Sequence, residues 1–218
     1  MEKFGKLHQI SSSAIRSMDK IKRLNLVNHL SGYKSANLIG TRSSSGQSNL
    51  SIVSSVIHLS SSPAVIGFMQ RPTTVPRHTY KNILETGFFT INHVHSNFVD
   101  KAHYTSAKFE EEESEFEHCG LTEAYLDDFL APFVEESMLK MSIRYLTTYP
   151  IKESNTLFIV GEVESVYLPP EILMEDGQLD LNQLQTVTIS GLNNYHEVKQ
   201  VASYKYARPG AFPENSYS

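Results

Sequence analysis

Residues 40–56 read GTRSSSGQSNLSIVSSV, with seven serines in seventeen residues and Arg42 and Gly46 near the start. The fold class turns on whether this stretch cradles a phosphate or joins two strands. A P-loop places four residues between its glycines, follows the second with Lys and Ser or Thr, and opens a helix. Here five residues separate Gly40 from Gly46, and Gln47 stands where the lysine belongs. The continuation NLSIVSSVIHL is rich in β-branched residues, which suit a strand and not a helix start. A nucleoside triphosphate loop is therefore excluded. SSSGQS reads as a turn between strands, with Gly46 free to take a positive φ. A turn does not explain Ser51, Ser54, Ser55 and His58 inside the second strand. Buried hydroxyls need partners, and solvent, backbone or an oxygen-rich ligand would serve equally.

The flanking sequence extends the β reading. ANLIGTR (36–42), AVIGFMQR (64–71) and FFTINHVH (88–95) are short, rich in β-branched and aromatic residues, and bounded by Ser, Gly and Pro. Strand character returns in 132–151, 155–169 and 184–192. Helical spacing marks 11–30, with a serine cap and a stop near Gly32. HTYKNILETG (78–87) reads as a helix capped by Thr79 and stopped by Gly87, and 96–109 as one capped by Ser96. The charge run EEEESEFEHCGL (110–121) reads as a solvated helix and loop, and MEDGQLDLNQL (174–184) as a polar turn. A helix followed by many short strands with helices inserted is the pattern of a decorated β-barrel. We expect one domain over 1–218: a helical extension over 1–34, the barrel with its inserted helices over 35–208, and a tail over 209–218.

Charge is unevenly placed. The net charge is −5, yet the 65 residues from Lys20 to Leu84 contain eight cations and no carboxylate, leaving −13 on the other 153 residues. Such asymmetry points to an anionic partner, although surface solubility alone accounts for it nearly as well. The acidic remainder argues against a long polyanion, so no nucleic acid is expected, and a small phosphorylated ligand suits the chain better. No apolar run approaches membrane-spanning length, and the N-terminus has charges where a signal peptide needs an apolar core. With Cys119 as the one cysteine there is no disulfide framework, and a cytoplasmic protein is expected. Within the basic window, FMQRPTTVPRHTYKNI (68–83) brings Arg71, Arg77, His78 and Thr79 together at a helix start. An arginine fork and open helix N–H groups both favour phosphate. The reading is a bipartite site, with serines from one strand and arginine plus a helix start from the next connection.

These pieces, in order, resemble the FMN-binding split-barrel proteins of the flavin reductase-like type, including flavoredoxin-like members. The matching stretches are LIGTRSSSGQSNLSIVSSV, SPAVIGFMQRP, RHTYKNILETGFFTIN, AHYTSAKF, SEFEHCGLTE, APFVEESMLKM and LFIVGEVESVYL, with SGLNNYH and SYKYARPG beyond them. The resemblance implies FMN bound across a homodimer interface. It places Asn49, Leu50 and Ser51 along the isoalloxazine, Ser54, Ser55 and Val56 near the ribityl chain and phosphate, and Arg71, His78 and Thr79 on the phosphate. Asn92 would support the site, and Tyr204 and Arg208 would reach over the ligand, from the same subunit or from its partner. The implied activity is hydride or electron transfer through FMN, with NAD(P)H as donor. The alternative is a flavoredoxin-like electron carrier without fast NAD(P)H turnover. Many relatives carry a His-Gly-Gly motif where this chain has SGLNNYH, which leaves pyridine-nucleotide use open. Flavin chemistry needs no protein nucleophile, so no catalytic acid, base or nucleophile is assigned. His93, His95 and His103 form a weak zinc pattern, and no metal is assigned. Cys119 reads as a packing residue.

Overall fold

Most runs of β-branched residues become strands, but they are cut where polar residues compete with the ladder. The computed structural model describes residues 5–72 and 74–215; residues 1–4 and 216–218, at the ends of the expected extension and tail, and Thr73 lie outside it. The expected helix over 11–30 is two helices, α1 (Ser12–Ser17) and α2 (Lys20–His29). Asp19 divides them: its carboxylate accepts the N–H groups of Ile21 and Lys22 and starts a new helix, while Met18 is extended. There follow β1 (Lys34–Ser35), β2 (Asn37–Arg42), β3 (Ser48–Val53), β4 (Ile57–Ser61), β5 (Ala64–Gln70), α3 (His78–Thr86) and β6 (Phe88–His93). The second half supplies α4 (Val99–Tyr104), α5 (Glu115–Cys119), β7 (Glu123–Ala124), β8 (Phe133–Val134), β9 (Lys140–Ile151), β10 (Thr156–Tyr167), β11 (Thr188–Ser190) and β12 (Asn194–His196). The expected Ser96 cap is displaced by His95, whose ring accepts the Asn97 N–H and starts a single 3-10 turn ahead of α4. Among the described residues no helix is long and apolar enough to cross a membrane.

Seven strands form one antiparallel sheet in the order β3-β2-β6-β9-β10-β5-β4. The stretch NLSIVSSVIHL is thus not one strand: β3 is at one edge of the sheet and β4 at the other. Only Ser54, Ser55 and Val56 join them. Four Cα steps reach at most about 14 Å, so the two edges must come together and the sheet must curl. The edges are not laddered to each other. Ser55 bridges the join instead: its hydroxyl donates to the Met69 carbonyl (3.3 Å) and accepts the Met69 N–H (3.0 Å). The architecture is a split β-barrel, mainly β with inserted helices.

Strand alternation divides the core in two. Ile39, Phe68, Phe89, Ile91, Ile143 and Ile159 fill the barrel, and Ile83 of α3 joins them. Leu38 and Leu50, on the opposite faces of β2 and β3, pack outside the barrel against Phe98 and Ala102 near α4, Phe116 and Cys119 of α5, and Ile189 of β11. Gly161 of β10 is required by closeness: a Cβ there would meet Ile143 Cγ2 at 2.3 Å and the Arg144 carbonyl oxygen at 2.9 Å.

His93 ends β6 opposite Asn37, and burial pushes its imidazole from 6.5 down to about 4. A depressed histidine is neutral in the fold and gains a proton on unfolding. Its contribution is complete above 6.5 and is lost as pH falls toward 4. The unfolding free energy from urea melts across that window should fall on acidification by at most about 1.4 kcal/mol per pH unit from this group. His93→Gln should flatten the slope; an unchanged slope would remove His93 as its source.

Candidate functional site at the barrel seam

The two faces of β3 have different tasks. Asn49, Ser51 and Val53 share the barrel side, whereas Leu50 is fully buried in the outer core. Asn49 Nδ2 donates to Thr41 Oγ1 at 3.3 Å and to Thr79 Oγ1 at 3.0 Å. Asn82 Nδ2 donates to the same Thr41 oxygen at 3.2 Å. All four side chains are buried, and together they fix the first turns of α3 against β2 and β3. The serine strand and the helix start, read separately from sequence, are joined by a direct hydrogen bond.

The outer edge of β3 is closed by side chains. Leu50 N–H donates to Glu115 Oε2 (2.9 Å), and Ile52 N–H donates to Thr105 Oγ1 (3.1 Å). By the same alternation the next outward N–H belongs to Ser54, which makes no hydrogen bond among the described residues; nor do the hydroxyls of Ser51 and Ser54. Glu115 corrects the expectation of a solvated charge run. Phe116 and Cys119 turn one face of α5 into the outer core, and Glu115 is buried with them. Burial raises the Glu115 carboxyl, against the opposing pull of the Leu50 N–H. Burial and the neighbouring Glu115 push the Cys119 thiol up to about 11, so it packs and is not activated.

Across the seam, the strand that holds Ser55 through Met69 runs on to Arg71. Thr79 does not cap α3 as expected, because it lies inside the helix with its oxygen turned to Asn49. The N-cap is Arg77, and no side chain bonds the first-turn N–H groups. Arg77 Nε donates to the Pro72 carbonyl at 3.1 Å. Burial, and secondarily the Arg71 charge, lower the Arg77 pKa. Among the described residues neither is in an ion pair with a carboxylate. Open helix N–H groups, His78 at the first helical position and two guanidiniums give this helix start a positive, donor-rich character.

The structure thus gathers Asn49, Ser51, Ser54, Ser55, Val56, Arg71, His78 and Thr79 around the seam. Ser55 has its proton committed to Met69. Leu50 turns away. Asn92, read as a support, donates through Nδ2 to the Leu38 carbonyl (3.2 Å) and accepts the Val134 N–H (3.0 Å), tying three segments beneath the site. Tyr204 and Arg208 lie in an exposed tail, where Arg208 pairs with Ala211 in a turn. The sequence reading placed Arg77 in the basic cluster without assigning it to the phosphate, and it did not find Glu115 and Thr105 as caps of β3. Arg77 was legible as a second cation just before a helix; nothing in an acidic run marks which carboxylate turns inward. The β11–β12 hairpin, which holds SGLNNYH, is held from two sides. Gly191 takes φ +62 beneath the His29 ring, and the Tyr195 hydroxyl meets His103 Nδ1 at 3.0 Å. That engagement takes His103 out of the weak zinc pattern, and no group of three potential ligands comes together among the described residues.

Residues 31–182 match the sequence profile of the flavin reductase like domain. The solved structure of a split-barrel protein from Shewanella frigidimarina, assigned as a flavin reductase, is 45% identical; it superposes with a TM-score of 0.89 over 92% of this chain and 100% of its own. Component B of nitrilotriacetate monooxygenase from Bacillus cereus is 18% identical, with a TM-score of 0.79 over 92% of this chain and 100% of its own. The flavoredoxin of Desulfovibrio vulgaris (Miyazaki F) is 24% identical, with a TM-score of 0.67 over 83% and 92%. These two share the fold. The profile match, which spans most of the chain and contains the whole seam, gives the affiliation: this protein belongs to the flavin reductase like domain family.

Proposed function

We propose that the protein binds FMN at the seam and works as an FMN-dependent NAD(P)H oxidoreductase of the flavin reductase type. The observation that carries the reading is the start of α3, whose first-turn N–H groups have no side-chain cap among the described residues, with Arg77 at the N-cap, Arg71 six residues ahead of it and neither ion-paired among those residues. This arrangement fits a phosphate monoester. Arg71, Arg77, His78 and the first N–H groups of α3 hold the phosphate. Asn49, through Thr79, sets the distance between that phosphate and β3. The free N–H and hydroxyl of Ser54, the Ser51 hydroxyl and Val56 face the remainder of the cofactor. The flavin, when bound, supplies the hydride and electron chemistry; the chain binds, orients and shields it. A single buried thiol suits a reducing cytoplasm.

Arg71→Ala should weaken FMN binding by about 1.5–3 kcal/mol, the range for hydrogen bonds to charged groups. Riboflavin, which lacks the phosphate, should lose far less in the same fluorescence-quenching titration. Equal losses for both would make Arg71 a structural residue and move the phosphate elsewhere.

Donor use rests on the β11–β12 hairpin. Asn194, Tyr195 and His196 stand where many relatives carry their pyridine-nucleotide motif, and His103 and His29 keep the hairpin in place. In anaerobic stopped flow, NADH or NADPH should bleach the visible flavin band of the loaded protein within seconds, more slowly in Tyr195→Ala and His196→Ala. Bleaching by dithionite but not by either nucleotide would favour the electron-carrier reading, in which Tyr195 closes that side.

We further propose a homodimer. The apolar residues Ile21 of α2, Leu30 just after it, Ile57 of edge strand β4, and Tyr206 and Phe212 of the tail are at least half exposed, between 50% and 95%. A second copy would cover such faces. Light scattering at micromolar concentration should give about twice the 24.6 kDa chain mass. A monomer that still holds FMN would defeat this proposal.

A further inference from the structure

Charge is segregated a second time, with the opposite sign. The 46 residues from Glu153 to Val198 contain eight carboxylates and no Lys or Arg, against the eight cations and no carboxylate of 20–84. Each window puts part of its charge on a segment outside the seven-stranded sheet that also exposes apolar side chains. On the basic side the segment is α2, which buries none of its residues. Ile21, Leu24 and Val27, with Leu30 just after the helix, are between 38% and 68% exposed and are interspersed with Lys20, Lys22 and Arg23. A groove of about 610 Å³ opens on α2, lined by Ile21, Leu26 and His29 among others. On the acidic side the segment is 171–181. Ile172 and Leu184 pack with Leu139 and anchor it. Asp176 and Asp180 shape its turns by accepting the N–H groups of Gln178 (3.0 Å) and Asn182 (3.1 Å). Leu173, Met174 and Leu181 are left between 43% and 55% exposed, interspersed with Glu171 and Glu175. Among the described residues none of Lys20, Lys22, Arg23, Glu171 and Glu175 is in an ion pair. These exposures mean that the two surfaces do not cover each other within one chain.

We propose that α2 of one chain docks on segment 171–181 of a second copy, apolar side chains against apolar and cations against carboxylates. The proposal rests on the homodimer reading and is independent of the flavin. Complementarity names the occupant. Apolar side chains rimmed by unpaired cations select a surface with an apolar centre and the opposite sign, and this chain carries such a surface. A flexible side chain such as Met174 suits an irregular groove like the one on α2. With each α2 on the other chain's acidic segment, both contacts form in one closed pair, and neither surface is left to recruit a third copy.

Charge reversal tests the pairing. Lys20→Glu with Lys22→Glu puts carboxylates in the first turn of α2, where the helix dipole favours them, so the helix should be kept. Glu171→Lys with Glu175→Lys leaves Asp176 and Asp180 to their turns. Dissociation of the full chain is followed by fluorescence-detected sedimentation over a dilution series, with circular dichroism as the check of folding. Each reversed pair should raise the dimer dissociation constant by at least about tenfold, and the chain carrying both pairs should return to within about threefold of wild type. Lys22→Glu and Glu175→Lys, singly and combined, take their place if a doubly reversed chain misfolds. A wild-type dimer that neither reversal weakens overturns the proposal and leaves the homodimer standing on other surfaces. Weakening by both without recovery in the combined chain overturns it too, because the two surfaces then meet different partners. A wild-type monomer throughout the series defeats the homodimer and this contact together, and leaves α2 to an acidic partner of another kind.

Discussion

The short join between β3 and β4 is the constraint on which the rest depends. Three residues connect opposite edges of a seven-stranded sheet, so the sheet has to roll up; because the two edges do not ladder, it stays split. Backbone groups at a closed barrel seam would be consumed in hydrogen bonds. Here, among the described residues, the Ser54 N–H and hydroxyl make no hydrogen bond, and Ser55 ties the join to Met69. The opening that results is narrow, polar and bordered by the chain that leads to Arg71. The place where the barrel fails to close is the place best equipped to take a ligand rich in oxygen.

Two sets of buried side chains make that opening a fixed site. On the barrel side, Asn49, Thr41, Thr79 and Asn82 tie α3 to the strands, which sets the anion-binding helix start at a constant distance from β3. On the outer side, Glu115 and Thr105 hold the strand edge. Placing a carboxylate among apolar residues is unfavourable for its charged form, and the N–H bond from Leu50 is what offsets it. The site is therefore supported from behind by groups that never reach a ligand.

Much of this was legible in the sequence because local chemistry decided it. The glycine spacing and the missing lysine excluded a P-loop, β-branched runs gave strands, and a cluster of cations before HTYKNI marked the anion site. What stayed hidden depended on long-range packing. Ser96 and Thr79 both look like helix caps, yet His95 captures the first role, and the second vanishes because Thr79 is pulled inward by a residue 30 positions earlier. The pattern of NLSIVSSVIHL gives no sign that its two ends belong to opposite sheet edges. Glu115 looks like its acidic neighbours, and only the apolar pair Phe116 and Cys119 on its helix hints that this turn is buried.

The capped edge of β3 also limits how copies of this chain can meet. An exposed edge strand offers a row of N–H and C=O groups on which another chain can continue the sheet. On β3 the N–H groups of Leu50 and Ile52 are already taken by α5 and the end of α4, so that edge offers no template. Strand addition there would require displacing α5 and the end of α4 and breaking the bonds of Glu115 and Thr105 to the strand. The same contacts that hold β3 in place therefore act against sheet growth from that edge.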